Sequence, residues 1–496
     1  MIAGGGRGLR RPVLITVLAV AVGLAGVACS SKKGSGSGSQ AQSVAANNVA
    51  GLPITHGDSG LKPGAPSPDL QVKGDANTED DKLAEASIAD VQAYWKDQLP
   101  ADFDMTFKPV EQFYSYDSNG PDQKIGCDQN GKGQYNAFYC GSDDSISWDR
   151  GGLLPDLRES QGPITVVAVL AHEFGHAIQF RLGDKAGMGK NVPTIVKEQQ
   201  ADCFAGSYFR WVAEGKSQYI SLSTAEGLNS VIVAMLHLRD EVGSSATKQG
   251  AHGSGFDRTY ALRAGFEKGP KECAGMNMDN ISARVTEKAL LKGDATTSKG
   301  DTKVNESSVG ELKKSLDEAF KGVGAQAPEI KDAGGQCSGG DKSTPPASYC
   351  QGDNTISIDM STLATMAQPI DHEAEVTGKK QAGRGDFAAF GEIASRYALA
   401  MQKGAGASVD GPNTGLRTAC LVGAWAQFAS SSQKTGSAEL RLSPGDLDEA
   451  IGEMLEENSV IAADVNGEAP TVGFDRVSAM QEGYLQGSSV CSKSYP

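Results

Sequence analysis

The chain has 496 residues, 39% of them apolar and 6% aromatic, with 62 glycines. That length allows two or three domains, and the apolar fraction permits packed cores. A formal net charge of -15 argues against nucleic-acid partners and against adhesion to an anionic membrane surface.

Arg7, Arg10 and Arg11 precede an apolar run from Val13 to Ala28 that is short for a membrane span. Gly26-Val27-Ala28-Cys29 reads as a bacterial lipobox with Gly where Leu is usual. Residues 1–28 are therefore expected to be a lipoprotein signal peptide, with Cys29 lipidated as the mature N-terminus. An ordinary signal peptide cut near Ala28, or an uncleaved anchor, is the simpler alternative. Residues 29–80 read as flexible tether and linker, Ser/Gly/Lys-rich at first and then rich in Pro, Gly and Asp. The expected location is the cell membrane, lipid-anchored and facing the extracytoplasmic side. Nine cysteines less Cys29 leave eight, an even number that fits four disulfides in an oxidising compartment.

Ordered structure is predicted from Asp81, with a helix through Ala86 to Trp95. An internal repeat follows. Cys127 and Cys140 are 13 residues apart, as are Cys337 and Cys350. Tyr139 and Cys140 with Asp143, Ile146, Ser147 and Asp149 recur as Tyr349 and Cys350 with Asp353, Ile356, Ser357 and Asp359. Gly255-Phe256-Asp257-Arg258 recurs as Gly473-Phe474-Asp475-Arg476, and Gly265, Gly269 and Cys273 as Gly483, Gly487 and Cys491, at a constant offset of 218. Cys203 lies 70 residues before Cys273, and Cys420 lies 71 before Cys491. The repeated spacings favour the pairs Cys127–Cys140, Cys203–Cys273, Cys337–Cys350 and Cys420–Cys491, although eight cysteines admit many other pairings.

Gly162-Pro163 opens an apolar helix that Gly183 ends. Inside it His172-Glu173-Phe174-Gly175-His176 is an H-E-x-x-H motif. Two histidines four apart share one helix face and can grip one metal ion, while Glu173 can reach a water on that ion. Two satisfied core histidines are the bland alternative. Glu198 and Asp202, again four apart, begin 22 residues beyond His176. Glu198 can be a third ligand, and Asp202 can accept the far N–H of a ligand histidine. A solvated acidic helix face is the competing reading.

In the second copy Ser395, Arg396 and Leu399 stand where His172, Glu173 and His176 stood, and Gly415 and Ala419 stand for Glu198 and Asp202. Joint loss of all five is expected if they serve only chemistry. His252 has Pro470 as its counterpart, and is a candidate donor to an oxyanion or an exposed loop histidine. Arg258 and Asp257 recur in the second copy and read as structural. Ser145 to Asp149 is a candidate edge strand for pairing with substrate backbone.

Phe138-Tyr139-Cys140 with Asp143, Ala171 to His176, Glu198 to Gly206, and the His252-Gly253-Ser254 neighbourhood with Cys273 resemble the bacterial neutral zinc metallopeptidases. The tether and twin domain are similar to actinobacterial lipoprotein peptidases of the LpqM type. The resemblance implies a gluzincin-like site with His172, His176 and Glu198 as ligands of a single Zn2+ per chain and Glu173 as general base. The expected fold is α+β: two tandem copies of a zincin-like metallopeptidase domain, each a small sheet plus helices, the second degenerate. The catalytic copy is expected over 81–280, a linker over 281–307 and the inert copy over 308–496. The expected function is zinc-dependent hydrolysis of peptide or protein substrates by an endopeptidase, with the inert copy available to recruit substrate or partner. The rival class is a catalytically silent cell-surface binding or assembly lipoprotein, and a further enzymatic alternative is cleavage of cell-wall cross-link peptides.

Overall fold

A computed structural model describes residues 48–242, 251–284, 302–371, 374–375, 379, 381–435, 440 and 442–496. The expected signal peptide, Cys29 and the start of the tether lie outside these residues, as does most of the expected linker over 281–307. Among the described residues no helix is long and apolar enough to cross a membrane.

The stretch expected as linker does not stay free over 48–80. Gly60–Leu61 pairs antiparallel with Ile220–Ser221, and Lys62 Nζ donates to Ser217 O at 2.6 Å. β1 (Val72–Lys73) joins a sheet. These strands are two residues long and pair with chain far away, so no local periodicity announces them. α1 (Glu79–Phe103) then starts at Thr78, whose side chain accepts Asp81 N–H, and Glu79, Asp80 and Asp81 occupy its first turn. Both features satisfy or offset the exposed N–H dipoles at a helix start.

β2 (Gln112–Tyr116), β3 (Ala137–Cys140) and β4 (Ser145–Asp149) complete the sheet in the order β1-β2-β4-β3. β4 is parallel to β2 and antiparallel to β3, and all five of its residues are buried. The expected edge strand is thus an interior one, because both of its hydrogen-bonding sides are taken. The edge beside the helices is β3.

α2 (Ile164–Leu182) packs on β3, α3 (Thr194–Ala213) and α4 (Glu226–His237) pack on α2, and α5 (Gly255–Lys268) packs on α3 and α4. Glycines set the helix spacing. A Cβ on Gly206 would lie 1.9 Å from Leu262 O, and one on Gly265 would lie 1.8 Å from Cys203 O, so α3 and α5 touch backbone to backbone. Cys203–Cys273 ties α3 to the short helix Pro270–Ala274 that follows α5.

The second half follows the same order. β5 (Glu329–Asp332), β6 (Ala347–Cys350) and β7 (Thr355–Ile358) form a sheet β6-β7-β5, with β7 parallel to β5 and antiparallel to β6. α6 (Asp386–Gly404), α7 (Pro412–Thr435), α8 (Asp446–Leu455) and α9 (Gly473–Gln486) follow. A Cβ on Gly423 would lie 2.0 Å from Met480 O, and one on Gly483 would lie 1.8 Å from Cys420 O. All four expected disulfides form: Cys127–Cys140, Cys203–Cys273, Cys337–Cys350 and Cys420–Cys491. One hydrophobic core runs through both halves. Where they meet, Phe256 faces Tyr484 and Phe266 faces Phe474, each with ring centroids 5.2 Å apart.

Candidate metal centre

α2 is buried on nearly all sides, so its polar side chains need partners. It ends where Gly183, at φ +52°, turns its N–H back to Gln179 O. His172 and His176 lie on one face, and α3 presents Glu198 and Asp202 to that face. Gly175 permits the approach: a Cβ there would lie 2.8 Å from the Ala201 Cα.

The ligand atoms converge. Glu198 Oε2 lies 3.3 Å from His172 Nε2 and 3.4 Å from His176 Nε2. The far nitrogens are both occupied. His172 Nδ1 is 2.7 Å from Asp202 Oδ1, and His176 Nδ1 is 3.1 Å from Gln179 Oε1. Gln179 is itself held by donation to Lys197 O at 2.5 Å. Glu198 Oε2 is buried without a hydrogen-bond partner of acceptable geometry. A lone carboxylate oxygen between two Nε2 atoms, each imidazole being oriented from behind, fits a tetrahedral zinc donor set with one position open.

The charges of the cluster act strongly on one another. Burial would push His172 down, but Asp202 and Glu198 outweigh it and raise it to about 10. His176 is also raised against burial, chiefly by Glu198. Burial would raise the carboxyl of Glu198, yet His176 and His172 hold it well below its usual range. Asp202 is likewise lowered in spite of burial, by Arg258 and then His172.

Glu173 lies close enough to the cluster for its charge to help raise His176. Its Oε2 accepts Tyr139 N–H of the edge strand β3 at 2.9 Å. His252 does reach the site. Its side chain is half-exposed, with Nε2 3.9 Å from Glu198 Oε2. Asp240 holds it, with Oδ1 3.4 Å from Nδ1, and Asp240 Oδ2 accepts Gly253 N–H at 2.9 Å.

Arg258, expected to be structural, is buried against Asp202. It donates from Nε to Asp202 Oδ2 at 3.0 Å and from Nη2 to Asp202 Oδ1 at 2.8 Å. Asp240 carried no local signal, since its partner lies 12 residues on. Gln179, three residues after His176 and so on its face, was legible by spacing alone.

The matching place in the second half is filled. Buried Arg396 donates from Nη2 to Val460 O at 2.5 Å and to Ala463 O at 2.9 Å, and from Nη1 to Asp464 O at 2.9 Å. A Cβ on Gly415 would lie 2.3 Å from Ala462 O. One other cluster of possible metal-binding side chains occurs among the described residues, Asp386, Asp446 and Glu449, and it contains no histidine.

Three curated relatives show the reach of similarity. The chain is 25% identical over 156 residues to "Uncharacterized protein Rv2575" and "Uncharacterized protein MT2651" of Mycobacterium tuberculosis and to "Uncharacterized protein Mb2605" of Mycobacterium bovis. Each match covers 27% of this chain and 53% of the relative, so the chain spans about half the length of the curated relatives it matches. No solved structure matches. Residues 40–275, which hold the entire ligand cluster and its supports, match the family described as "Putative neutral zinc metallopeptidase".

Proposed function

We propose that the chain is a membrane-tethered, extracytoplasmic, zinc-dependent endopeptidase acting on peptide or protein substrates. The observation that carries this reading is the meeting of His172 Nε2, His176 Nε2 and Glu198 Oε2, all ligand atoms within 4.8 Å of one another. A zinc ion held there would supply Lewis acidity, polarising a carbonyl and lowering the pKa of bound water toward about 7. Glu173 takes a proton as water attacks the peptide carbon, and delivers it to the amine that leaves. His252 Nε2, held by Asp240, donates to the developing oxyanion. Asp202 fixes His172 through Nδ1, and Gln179 fixes His176. The edge strand β3, through the Tyr139 N–H that orients Glu173, would also run alongside bound substrate backbone.

Residues 81–280 are read as the catalytic unit, braced by 48–80, and 308–496 as its ligand-less copy. Matching disulfide spacings, strand order and glycine contacts support duplication. The lipid anchor at Cys29 and the signal peptide over 1–28 rest on the sequence pattern.

The test is Glu173→Gln. The variant is expected to keep about one zinc per chain and to lose casein and peptide hydrolysis, which a chelator also abolishes in the parent. Full hydrolysis by the variant refutes the mechanism. A parent that binds zinc but cleaves nothing favours the binding-protein reading, and two zinc ions per chain would mean that the second half binds as well.

A further inference from the structure

α5 carries Arg258 in its first turn and follows directly on His252, so its start fixes two parts of the candidate site. Its body is clamped within the first half at Gly206 and Gly265, and Cys203–Cys273 ties down the short helix that follows it. Its start is held from the other half. Asp448 on α8 accepts Gly255 N–H through Oδ2 at 2.9 Å and Phe256 N–H through Oδ1 at 2.7 Å. These are N–H groups with no partner inside a helix. Ser254 Oγ takes the next, from Asp257, at 3.2 Å. Arg239 backs the contact, its Nε 3.7 Å from Asp448 Oδ2, and the adjacent Asp240 holds His252. Gly255 lets the two approach, since a Cβ there would lie 2.4 Å from Leu236 Cδ2 and 3.2 Å from the Asp448 carboxyl carbon and would have to displace them.

The contact recurs with the halves exchanged. Asn229 on α4 accepts Gly473 N–H through Oδ1 at 2.7 Å, at the start of α9. A Cβ on Gly473 would lie 2.5 Å from Leu455 and 2.7 Å from Asn229 Oδ1. α9 carries Arg476 and leads to no ligand cluster.

We propose that Asp448 is a positioning residue of the metal centre, supplied by the second half. It pins the start of α5, so that Arg258 keeps Asp202 on His172 and His252 stays over Glu198. This rests on the peptidase reading and gives the second half a part in the first half's chemistry.

The experiment compares the full chain with Asp448→Ala, Asp448→Asn and Asn229→Ala, each loaded with zinc for kinetics and with cobalt(II) for the visible spectrum of the site. Asp448→Ala is expected to lower kcat/KM by about tenfold to a hundredfold, mainly in kcat, and to shift the cobalt bands. Asp448→Asn keeps one acceptor oxygen, as Asn229 does naturally, and falls between parent and Asp448→Ala in both readouts. Asn229→Ala loses the cap at the inert end and lowers Tm without changing kcat or the spectrum. Parental kcat and cobalt bands in Asp448→Ala overturn the proposal. So does an equal loss of kcat in Asn229→Ala, which would mean general loosening of the interface. If Asp448→Ala does not fold, parental bands and kcat in Asp448→Asn overturn it. A parent chain that cleaves nothing defeats the peptidase reading, while the cobalt spectra still decide the role of Asp448.

Discussion

His172 sits between two carboxylates, and that fixes how the site takes up metal. Without metal, Asp202 and Glu198 raise its imidazole to about 10, so at neutral pH it carries a proton that a ligand must lose. Zinc affinity should therefore rise with pH, and fall as acid restores the proton. Chelator competition across about pH 6 to about pH 8 measures this, and a pH-independent affinity would contradict it. The stability of the metal-free fold runs the opposite way. A raised pKa makes the charged pair fully stabilising below the unfolded value of about 6.5. That contribution is lost as pH rises toward about 10. The residues of this centre were partly visible in the chain. His172, Glu173, His176, Glu198 and Asp202 sit at helical spacings, which sequence displays directly. Asp240 and Arg258 meet their partners only after the chain has folded back.

At the scale of elements, the centre depends on the closeness of α2 and α3. Gly175 occupies one of the two open positions of the H-E-x-x-H motif, yet a Cβ there would run into Ala201 at 2.8 Å from its Cα. Gly175→Ala should push α3 away and draw Glu198 off the two Nε2 atoms. The expected overpacking cost is about 1–3 kcal/mol, with zinc affinity reduced about tenfold or more. Equilibrium dialysis and thermal melts check both, and unchanged affinity would show that the helices absorb the methyl elsewhere. The helices themselves were legible, because Pro163, Gly183 and the apolar run mark α2 on the chain. The edge strand was not. Ser145 to Asp149 has the composition of any strand, and only the pairing on both its sides shows that it is interior, with β3 at the edge beside the helices.

Across the whole molecule, the two halves share strand order, disulfide spacing and helix packing but differ in what their cores hold. Arg258 has Asp202. Its counterpart Arg476 is buried, its Nε lacks a hydrogen-bond partner, and burial pushes it down to about 10. A buried cation without a counter-charge costs stability. Arg476→Met is therefore expected to raise stability by about 1–4 kcal/mol, seen as a higher Tm, with zinc content and hydrolysis unchanged. A lower Tm would show that Arg476 has a partner of its own. Arg396 is also pushed down to about 10 by burial, but it differs in donating to three backbone carbonyls.

The sequence by itself nominated the candidate ligands, marked the helices that carry them and favoured the four disulfide pairs that form, because each rests on spacing along the chain or on spacing repeated within it. It also marked the second half as lacking every ligand. Tertiary structure alone decided what holds Asp202, His252, Glu173 and the start of α5 in place. Arg258 on Asp202, Asp240 on His252, Tyr139 on Glu173 and Asp448 on the start of α5 join positions from a dozen to nearly two hundred residues apart. No local pattern encodes such contacts, since they exist only where separate helices and strands come to share one buried surface.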